Sequence, residues 1–390
     1  GFLSYIAQAE GAGDRARARR AVSQAVLATL CVGIFFTALT LSLSGMVPVW
    51  MQVDPAIQPL AAQYFFILYL PMLPRAASII FGTVLRAAGD TKTPMRVGIL
   101  VNLINVVLNF LLIYPARTIT VFSRSFHVYG AGMGVSGAAA ASAVAYAIGG
   151  VCITVALWRH PAVSPRGQSF RPDPQVLRPC LRVALPNMLQ RFGTSLGYVA
   201  FAAMINSLGE ISTAAHTIAN TVESAFYIPG FGMQSAAATL TGNALGARDR
   251  QKMRSLAAVM VALEVGLMVV SGGLLFAFAP SMMCLFSRSE AVILLGSTVL
   301  RMVAVSEPVY GVSIVLEGMM QGVGSTMMPF VFNIIGMWGV RILGTFLCTQ
   351  ILGHGLVSAW ACMIAHNLLL FCLFLVYYLS GRWNPMNHTK

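Results

Sequence analysis

The feature that most constrains the fold of this 390-residue chain is a series of ten long apolar segments. Each is long enough for a membrane-spanning helix, which needs about 20 predominantly apolar residues. The segments cover residues 21–46, 58–88, 95–115, 133–158, 176–208, 212–245, 255–280, 291–321, 328–352 and 355–380. They lack the short alternating pattern of a membrane β-barrel. Helices satisfy all their backbone polar groups internally, so we predict an all-α polytopic membrane protein.

The charge content excludes a soluble protein. Only 9% of the residues are charged, against about 25% in soluble proteins. Such a chain cannot cover a water-facing surface, which rules out a cytosolic enzyme, a secreted domain and a disordered chain.

The positions of lysine and arginine predict the orientation in the membrane. Eighteen of the 25 basic residues fall in alternate polar segments: 15–20, 86–96, 159–182, 248–254 and 382–390. The intervening loops hold only Arg117, Arg124 and Arg288. Because cytoplasmic loops are enriched in basic residues, we place the first set and the C-terminus in the cytoplasm of an inner-membrane protein. This asymmetry also accounts for the net charge of +13 without a nucleic-acid partner.

The chain contains an internal repeat. Gly11-Ala12-Gly13-Asp14-Arg15 resembles Gly246-Ala247-Arg248-Asp249-Arg250, and residues 89–94 resemble 324–329, both at an offset of 235. After a longer external loop at 116–131 the offset falls to 221, where Gly134 matches Gly355. An even number of helices per repeat makes the two repeats parallel, so we predict two six-helix repeats that form two lobes.

The repeat also predicts the domain boundaries. We assign residues 1–158 to an N-terminal lobe, 159–175 to a cytoplasmic linker rich in Pro and Arg, and 176–390 to a C-terminal lobe. Projecting the second repeat onto the first places its start before Gly1. We therefore expect an N-terminally truncated chain of ten full helices and one partial helix.

Four stretches of the sequence form a recognisable set of motifs: residues 86–94 (RAAGDTKTP), 134–139 (GVSGAA), 241–247 (TGNALGA), and Ala214–Ala219 followed by Ile228-Pro229-Gly230. Together they resemble the MATE (multidrug and toxic compound extrusion) family. The resemblance implies two lobes around a central cavity and export of organic cations, driven by inward flow of protons or sodium. Some branches carry a Glu at the position of Thr194 or an Asp on the first helix, and this chain has neither, so the coupling ion stays open.

Ionisable residues within the apolar segments are the leading site candidates, because placing a charge there costs about 2.5–3.5 kcal/mol or more. We select Glu223, Glu307 and Glu317 as carboxylates that alternately bind a proton and a cationic substrate, since desolvation favours protonation of a carboxyl group. The alternative is a set of buried Glu–Arg pairs that fix helix register. Arg191 and Arg341 are the expected partners of these acids.

Polar and aromatic side chains supply further candidates for substrate binding. Asn102 and Asn105 share one helix face, where they line a cavity or bond to a neighbouring helix. Tyr198 and Phe226 form an aromatic lining for a cation or belong to the ordinary core.

We therefore expect a monomeric secondary antiporter that exports small, often cationic drugs or metabolites across the bilayer. The alternative function is a flippase for a lipid-linked oligosaccharide or a related lipid. The sequence shows no catalytic motif, no metal-ligand spacing and no cofactor motif, so we expect neither an enzyme nor a metalloprotein.

Overall fold

The computed structural model describes residues 1–388 and consists mainly of long helices. The helices of the first half are α1 (Phe2–Gly11), α2 (Arg15–Leu43), α3 (Val47–Trp50), α4 (Gln58–Tyr69), α5 (Met72–Ala87), α6 (Lys92–Leu112) and α7 (Val135–Arg159). Those of the second half are α8 (Pro174–Asn206), α9 (Glu210–Gly246), α10 (Arg250–Phe286), α11 (Glu290–Gly322), α12 (Met327–Ile334), α13 (Leu343–Thr345) and α14 (Leu356–Ser380). Two π-helical stretches, Ile335–Ile342 and Phe346–Ile351, continue α12, and a short 3₁₀ helix, Pro385–Asn387, follows α14.

The helices coincide with the predicted apolar segments. Within residues 1–388, seven helical segments are long and apolar enough to cross a membrane, and α4 with α5 makes an eighth as one span bent by 44°. Pro71 lies at that bend, between the two helices. The 33-residue α8 and the 37-residue α9 are also long enough to cross a membrane. They are not counted among the seven because they contain more polar residues. The prediction of an all-α polytopic membrane protein is confirmed.

The predicted external loop at 116–131 contains structure that the sequence analysis missed. Strands β1 (Pro115–Val121) and β2 (Arg124–Ala131) pair as an antiparallel hairpin. Phe122 and Ser123 form its tight turn with φ angles of 49° and 63°. Two-residue hairpin turns require such left-handed conformations, usually supplied by Asn or Gly. This turn has neither, which is why no hairpin was predicted.

The internal repeat is confirmed by the ends of the helices. The starts of α2 and α10 are 235 residues apart, as are the starts of α6 and α12 and the ends of α5 and α11. The helix α7 matches α14 at the second offset of 221 at both ends. Even local geometry repeats, because Asp14 and Asp249 cap their helices through a backbone N–H three residues on.

The chain divides into two compact units. The first contains residues Leu3–Gly13 together with Arg178–Lys390, and the second contains Asp14–Leu177. We call them the acidic unit and the basic unit, after the charges within their spanning helices. The lobe boundaries drawn from the sequence stay a prediction.

Within the acidic unit, α1 crosses the end of α9 in a reciprocal contact. A Cβ atom added at Gly11 would meet the carbonyl of Asn243, and one added at Gly246 would meet the carbonyl of Gln8. Both pairs are related by the offset of 235, so equivalent positions of the two repeats contact each other. Two glycines therefore let the two helix backbones touch.

Candidate functional site

Three adjacent helices of the acidic unit each bury a glutamate. Glu223 on α9, Glu264 on α10 and Glu307 on α11 are 6%, 0% and 2% exposed. No N–H or hydroxyl donor among residues 1–388 reaches either carboxylate oxygen of Glu264 or Glu307. The carboxyl groups of Glu307 and Glu223 are hydrogen-bonded to each other, which requires a proton on one of them. Because a buried ionised carboxylate without a partner is very costly, these groups require a cation or a proton.

The glutamates are held where the helices approach closely. A Cβ atom at Gly230 or at Gly311 would lie 3.1 Å from Oε1 of Glu264. The two glycines, on α9 and α11, therefore leave the space that the carboxyl group occupies. Glu307 in turn interacts electrostatically with both Glu223 and Glu264. The three acids thus form one cluster, which we call the carboxylate cluster.

A proline lies within α9 on the side of this cluster. Pro229 is inside the continuous helix α9, and a proline removes one backbone hydrogen bond of its helix. The hydroxyl of Ser271 on α10 donates to the backbone carbonyl of Phe226 at 2.7 Å, three residues before Pro229. Phe226 thus has a structural role through its carbonyl, while its ring packs on the hydrophobic core.

Arg341 is a buried basic residue that interacts with the cluster. It is 5% exposed and lies in the first π-helical stretch, a rare geometry that is frequent at functional sites. Its guanidinium faces the rings of Tyr198 and Phe201 at 5.3 and 5.5 Å. It interacts electrostatically with Glu223, but its Nε has no hydrogen-bond partner among the described residues.

No Glu–Arg ion pair within 4.0 Å occurs among residues 1–388, where the two pairs found at that distance, Arg20–Asp173 and His160–Asp90, lie outside the carboxylate cluster. Arg341 acts electrostatically on Glu223, and Arg191 on Glu317, without a direct ion pair. The cluster therefore has Arg341 as a basic neighbour that bonds none of its three acids directly.

The aromatic candidate Tyr198 lies beside the cluster and is 52% exposed. Tyr227 and Tyr310 interact electrostatically with Tyr198, and Tyr227 also interacts with Glu223. Aromatic faces attract organic cations. The structure therefore brings together Glu223, Glu307, Arg341 and Tyr198.

Glu317 belongs to a separate polar group. Its Oε1 accepts hydrogen bonds from Gln190 at 2.7 Å, Asn333 at 3.4 Å and Gln321 at 3.5 Å. Arg191 interacts with it electrostatically. Glu317 is therefore a carboxylate with amide donors, unlike Glu264 and Glu307.

The asparagine candidates lie on α6 of the basic unit. Asn105 accepts a hydrogen bond from Ser142 of α7 at 3.4 Å, which favours the interhelical role. Asn102 is exposed and lines a small cavity between α5, α6 and α7.

The sequence analysis missed two buried members of this region. Glu264 is not among the candidates selected from the sequence, yet it lies within α10, which extends from Arg250 to Phe286, and is completely buried. His366 on α14 is 5% exposed and both its ring nitrogens lack a partner among the described residues. Hydropathy alone does not predict that either of these two side chains is buried in this region. No group of three or more His, Cys, Asp or Glu suited to a metal occurs within residues 1–388.

Comparison with known proteins agrees with this architecture. The chain is 26% identical to the "Probable multidrug resistance protein NorM" of Thermotoga maritima over 98% of this chain and 80% of that protein. It is 26% identical to the protein of the same description from Rhizobium meliloti over 92% of this chain and 76% of that protein.

Solved structures show the same fold. A MATE structure "in the bent conformation" aligns with a TM-score of 0.88 at 21% identity, covering 99% of this chain and 83% of that chain. An "outward-facing conformation of a multidrug resistance MATE family transporter of the MOP superfamily" aligns with a TM-score of 0.84 at 21% identity, covering 100% and 83%.

The model of the family described as MatE matches residues 1–111 and 186–347. These two stretches make up well over half of the chain and include every helix that contributes to the carboxylate cluster. The protein is therefore a member of the MatE family of membrane transporters.

Proposed function

We propose that this protein is a secondary antiporter that exports small, often cationic compounds across the cytoplasmic membrane in exchange for protons. The observation that carries the proposal is the carboxylate cluster, in which no N–H or hydroxyl donor of the described residues bonds the carboxylate oxygens of Glu264 and Glu307, and in which Glu307 and Glu223 are hydrogen-bonded carboxyl to carboxyl. The names of the relatives, multidrug resistance proteins, support the class of substrate.

The mechanism follows from the cost of burying charge. An ionised carboxylate in this environment needs a compensating cation, and either a proton or a cationic substrate meets that need. The two therefore compete for one site, and that competition is the requirement for exchange. Alternating access then couples the release of one cation to the binding of the other. The exposed ring of Tyr198 gives an organic cation an aromatic face beside the acids.

The surroundings of the acids favour protons over sodium as the coupling ion. A hard metal cation takes several oxygen ligands. Within residues 1–388 no group of three or more His, Cys, Asp or Glu is arranged to hold a metal ion, and the backbones at Gly230 and Gly311 approach Oε1 of Glu264 closely. A proton needs only the carboxylate itself.

The test is uptake of a fluorescent cationic dye by inverted vesicles that contain the protein, under an imposed proton gradient or an imposed sodium gradient. We expect proton-driven uptake that falls at least 10-fold in Glu307→Gln and in Glu223→Gln, because the amide cannot take up a proton. Glu290→Gln is the matched control, since Glu290 is an exposed acid in the first turn of the same helix as Glu307.

Three results would contradict parts of the proposal. Normal export by Glu307→Gln at every pH would remove the proton-binding role of that residue. Uptake driven only by a sodium gradient would show that the coupling ion is sodium and not the proton. No uptake by the wild type under either gradient would reject cation export and favour the flippase alternative.

A further inference from the structure

The helices of the basic unit contain no acidic residue, in contrast to the helices that carry the carboxylate cluster. The four acidic residues of the basic unit lie outside its helices: Asp14, Asp54, Asp90 and Asp173. Arg75, by contrast, lies in α5, twelve residues before the helix ends at Ala87. At 1.5 Å per residue this is about 18 Å from the cytoplasmic end, which is near the middle of a bilayer core of about 30 Å.

Arg75 has no counter-ion in the part of the chain that the structure describes. Its guanidinium lies 4.6 Å from the ring centroid of Tyr146 and 5.9 Å from that of Tyr69. No carboxylate of residues 1–388 lies within 4.0 Å of it. An arginine at this depth is costly unless it is paired, and stacking on two tyrosines positions the group without neutralising its charge.

A cavity opens beside this arginine. It has a volume of about 280 Å³ and lies between α5, α6 and α7. Its polar lining consists of Arg75, Arg86, Ser78, Asn102 and Tyr146. These side chains are hydrogen-bond donors, and the cavity has no acidic residue in its lining.

The remaining lining is apolar. Ile79, Val97, Val101 and Ile153 form the walls between the two arginines. Gly98 on α6 adds open space, since a Cβ atom there would meet nothing within 4 Å. The cavity therefore combines a cationic, donor-rich surface with a hydrophobic one.

We propose that the cavity between α5, α6 and α7 binds the anionic group of an amphiphile, a phosphate or carboxylate with an apolar body, with Arg75 as its counter-ion. The planar guanidinium matches these anions in a bidentate geometry. Ser78 and Asn102 add neutral donors, Arg86 adds a second positive charge, and the apolar walls receive the body. A membrane lipid and an amphiphilic anion taken from water share this chemistry. The site belongs to the basic unit, whereas the carboxylate cluster belongs to the acidic unit, and the proposal does not depend on proton-coupled export.

The test is the thermal unfolding of the purified protein in neutral detergent. The two anionic probes are phosphatidylglycerol and octyl phosphate, and phosphatidylcholine and octanol are their neutral counterparts. We expect an anionic probe near saturation to raise the melting temperature by about 4 °C more than its neutral counterpart. A response to phosphatidylglycerol alone identifies a lipid site, and a response to octyl phosphate as well identifies a site for amphiphilic anions in general.

Two variants should abolish the difference between anionic and neutral probes. Arg75→Gln removes the counter-ion, and Gly98→Leu fills the cavity without changing charge. Arg75→Lys should retain part of the response. The matched control is Arg117→Gln, because Arg117 also stacks on two aromatic rings, Phe110 and Tyr114, but lies on the hairpin.

Native mass spectrometry of the same samples counts bound phosphatidylglycerol directly. It therefore measures binding even for a variant whose stability is too low for the thermal assay. Equal responses to anionic and neutral probes in the wild type would overturn the proposal. So would a full anionic response, or unchanged binding of phosphatidylglycerol, in both Arg75→Gln and Gly98→Leu.

Discussion

At the scale of single residues, Pro280 gives a structural reason for Arg301, one of the arginines within the spanning helices. Pro280 in α10 has no N–H, so the carbonyl four residues earlier, that of Phe276, loses its helical partner. Nε of Arg301 on α11 donates to this carbonyl at 3.3 Å, and its guanidinium lies over the Phe276 ring at 5.5 Å. Arg301 therefore has a local structural role and is not a counter-ion of the carboxylate cluster.

This role predicts an energetic coupling between Arg301 and Pro280. Arg301→Gln should lower the free energy of unfolding by about 1 kcal/mol, the usual net value of a hydrogen bond. In a Pro280→Ala background the restored N–H bonds the Phe276 carbonyl, and the same change should cost much less. Unfolding of both singles and the double variant in mixed detergent micelles measures the coupling. Equal costs in the two backgrounds would refute this role.

Residues also show the limits of reading charges from sequence. Glu264, Glu307 and Glu317 are all glutamates within apolar segments, and nothing local distinguishes them. Glu317 has three amide donors, whereas no N–H or hydroxyl donor among the described residues reaches the oxygens of the other two. The difference comes from side chains that are distant in sequence, such as Gln190, and so only the folded structure shows it.

At the scale of elements, the crossing of α1 and α9 depends on glycine. Leucine at Gly246 would place side-chain atoms against the carbonyl of Gln8. Glycine is needed there because the two backbones are in contact, and glycine is needed at the equivalent position Gly11 for the same reason. Ser4 of α1 also donates to the carbonyl of Gly322 at 3.0 Å, which fixes α1 against the end of α11.

We therefore expect Gly246→Leu to lower the free energy of unfolding by about 1–3 kcal/mol, the usual cost of overpacking. Gly266→Leu in α10 is the control, because a Cβ atom there meets nothing within 4 Å. That change should stay within about 0.5 kcal/mol, as for ordinary exposed sites. Unfolding in mixed micelles is again the measurement. Equal stability of the two variants would mean that α1 does not pack closely against α9.

Elements were predictable to different degrees. The boundaries of α9 and α11 follow from apolar runs and from glycine or charge at their ends, so prediction and structure differ there by only a few residues. The π-helical stretch around Arg341 and the 115–131 hairpin were not predicted. Neither has a local signature in this sequence, since π-helical geometry depends on packing and the hairpin turn uses Phe122 and Ser123.

At the scale of the whole molecule, the asymmetry of basic residues predicts the orientation across the membrane. The hairpin tip at Ser123 should face outside, and Ser169, in the arginine-rich linker, should face the cytoplasm. In a background without the seven native cysteines, an impermeant maleimide should label Ser123→Cys in intact cells or spheroplasts. Ser169→Cys should be labelled only after permeabilisation. The reverse pattern would invert the proposed topology.

The sequence by itself determined the spanning helices, the repeat and the expected sides of the membrane. Each of these depends on properties that are local along the chain: hydropathy over about 20 residues, the density of Lys and Arg in a loop, and capping residues such as Asp14 and Asp249. Only the tertiary structure decided which intramembrane charges have partners. Whether a glutamate meets an amide, a glycine or an empty space depends on how three or more helices pack, and helix packing joins residues that no local pattern relates.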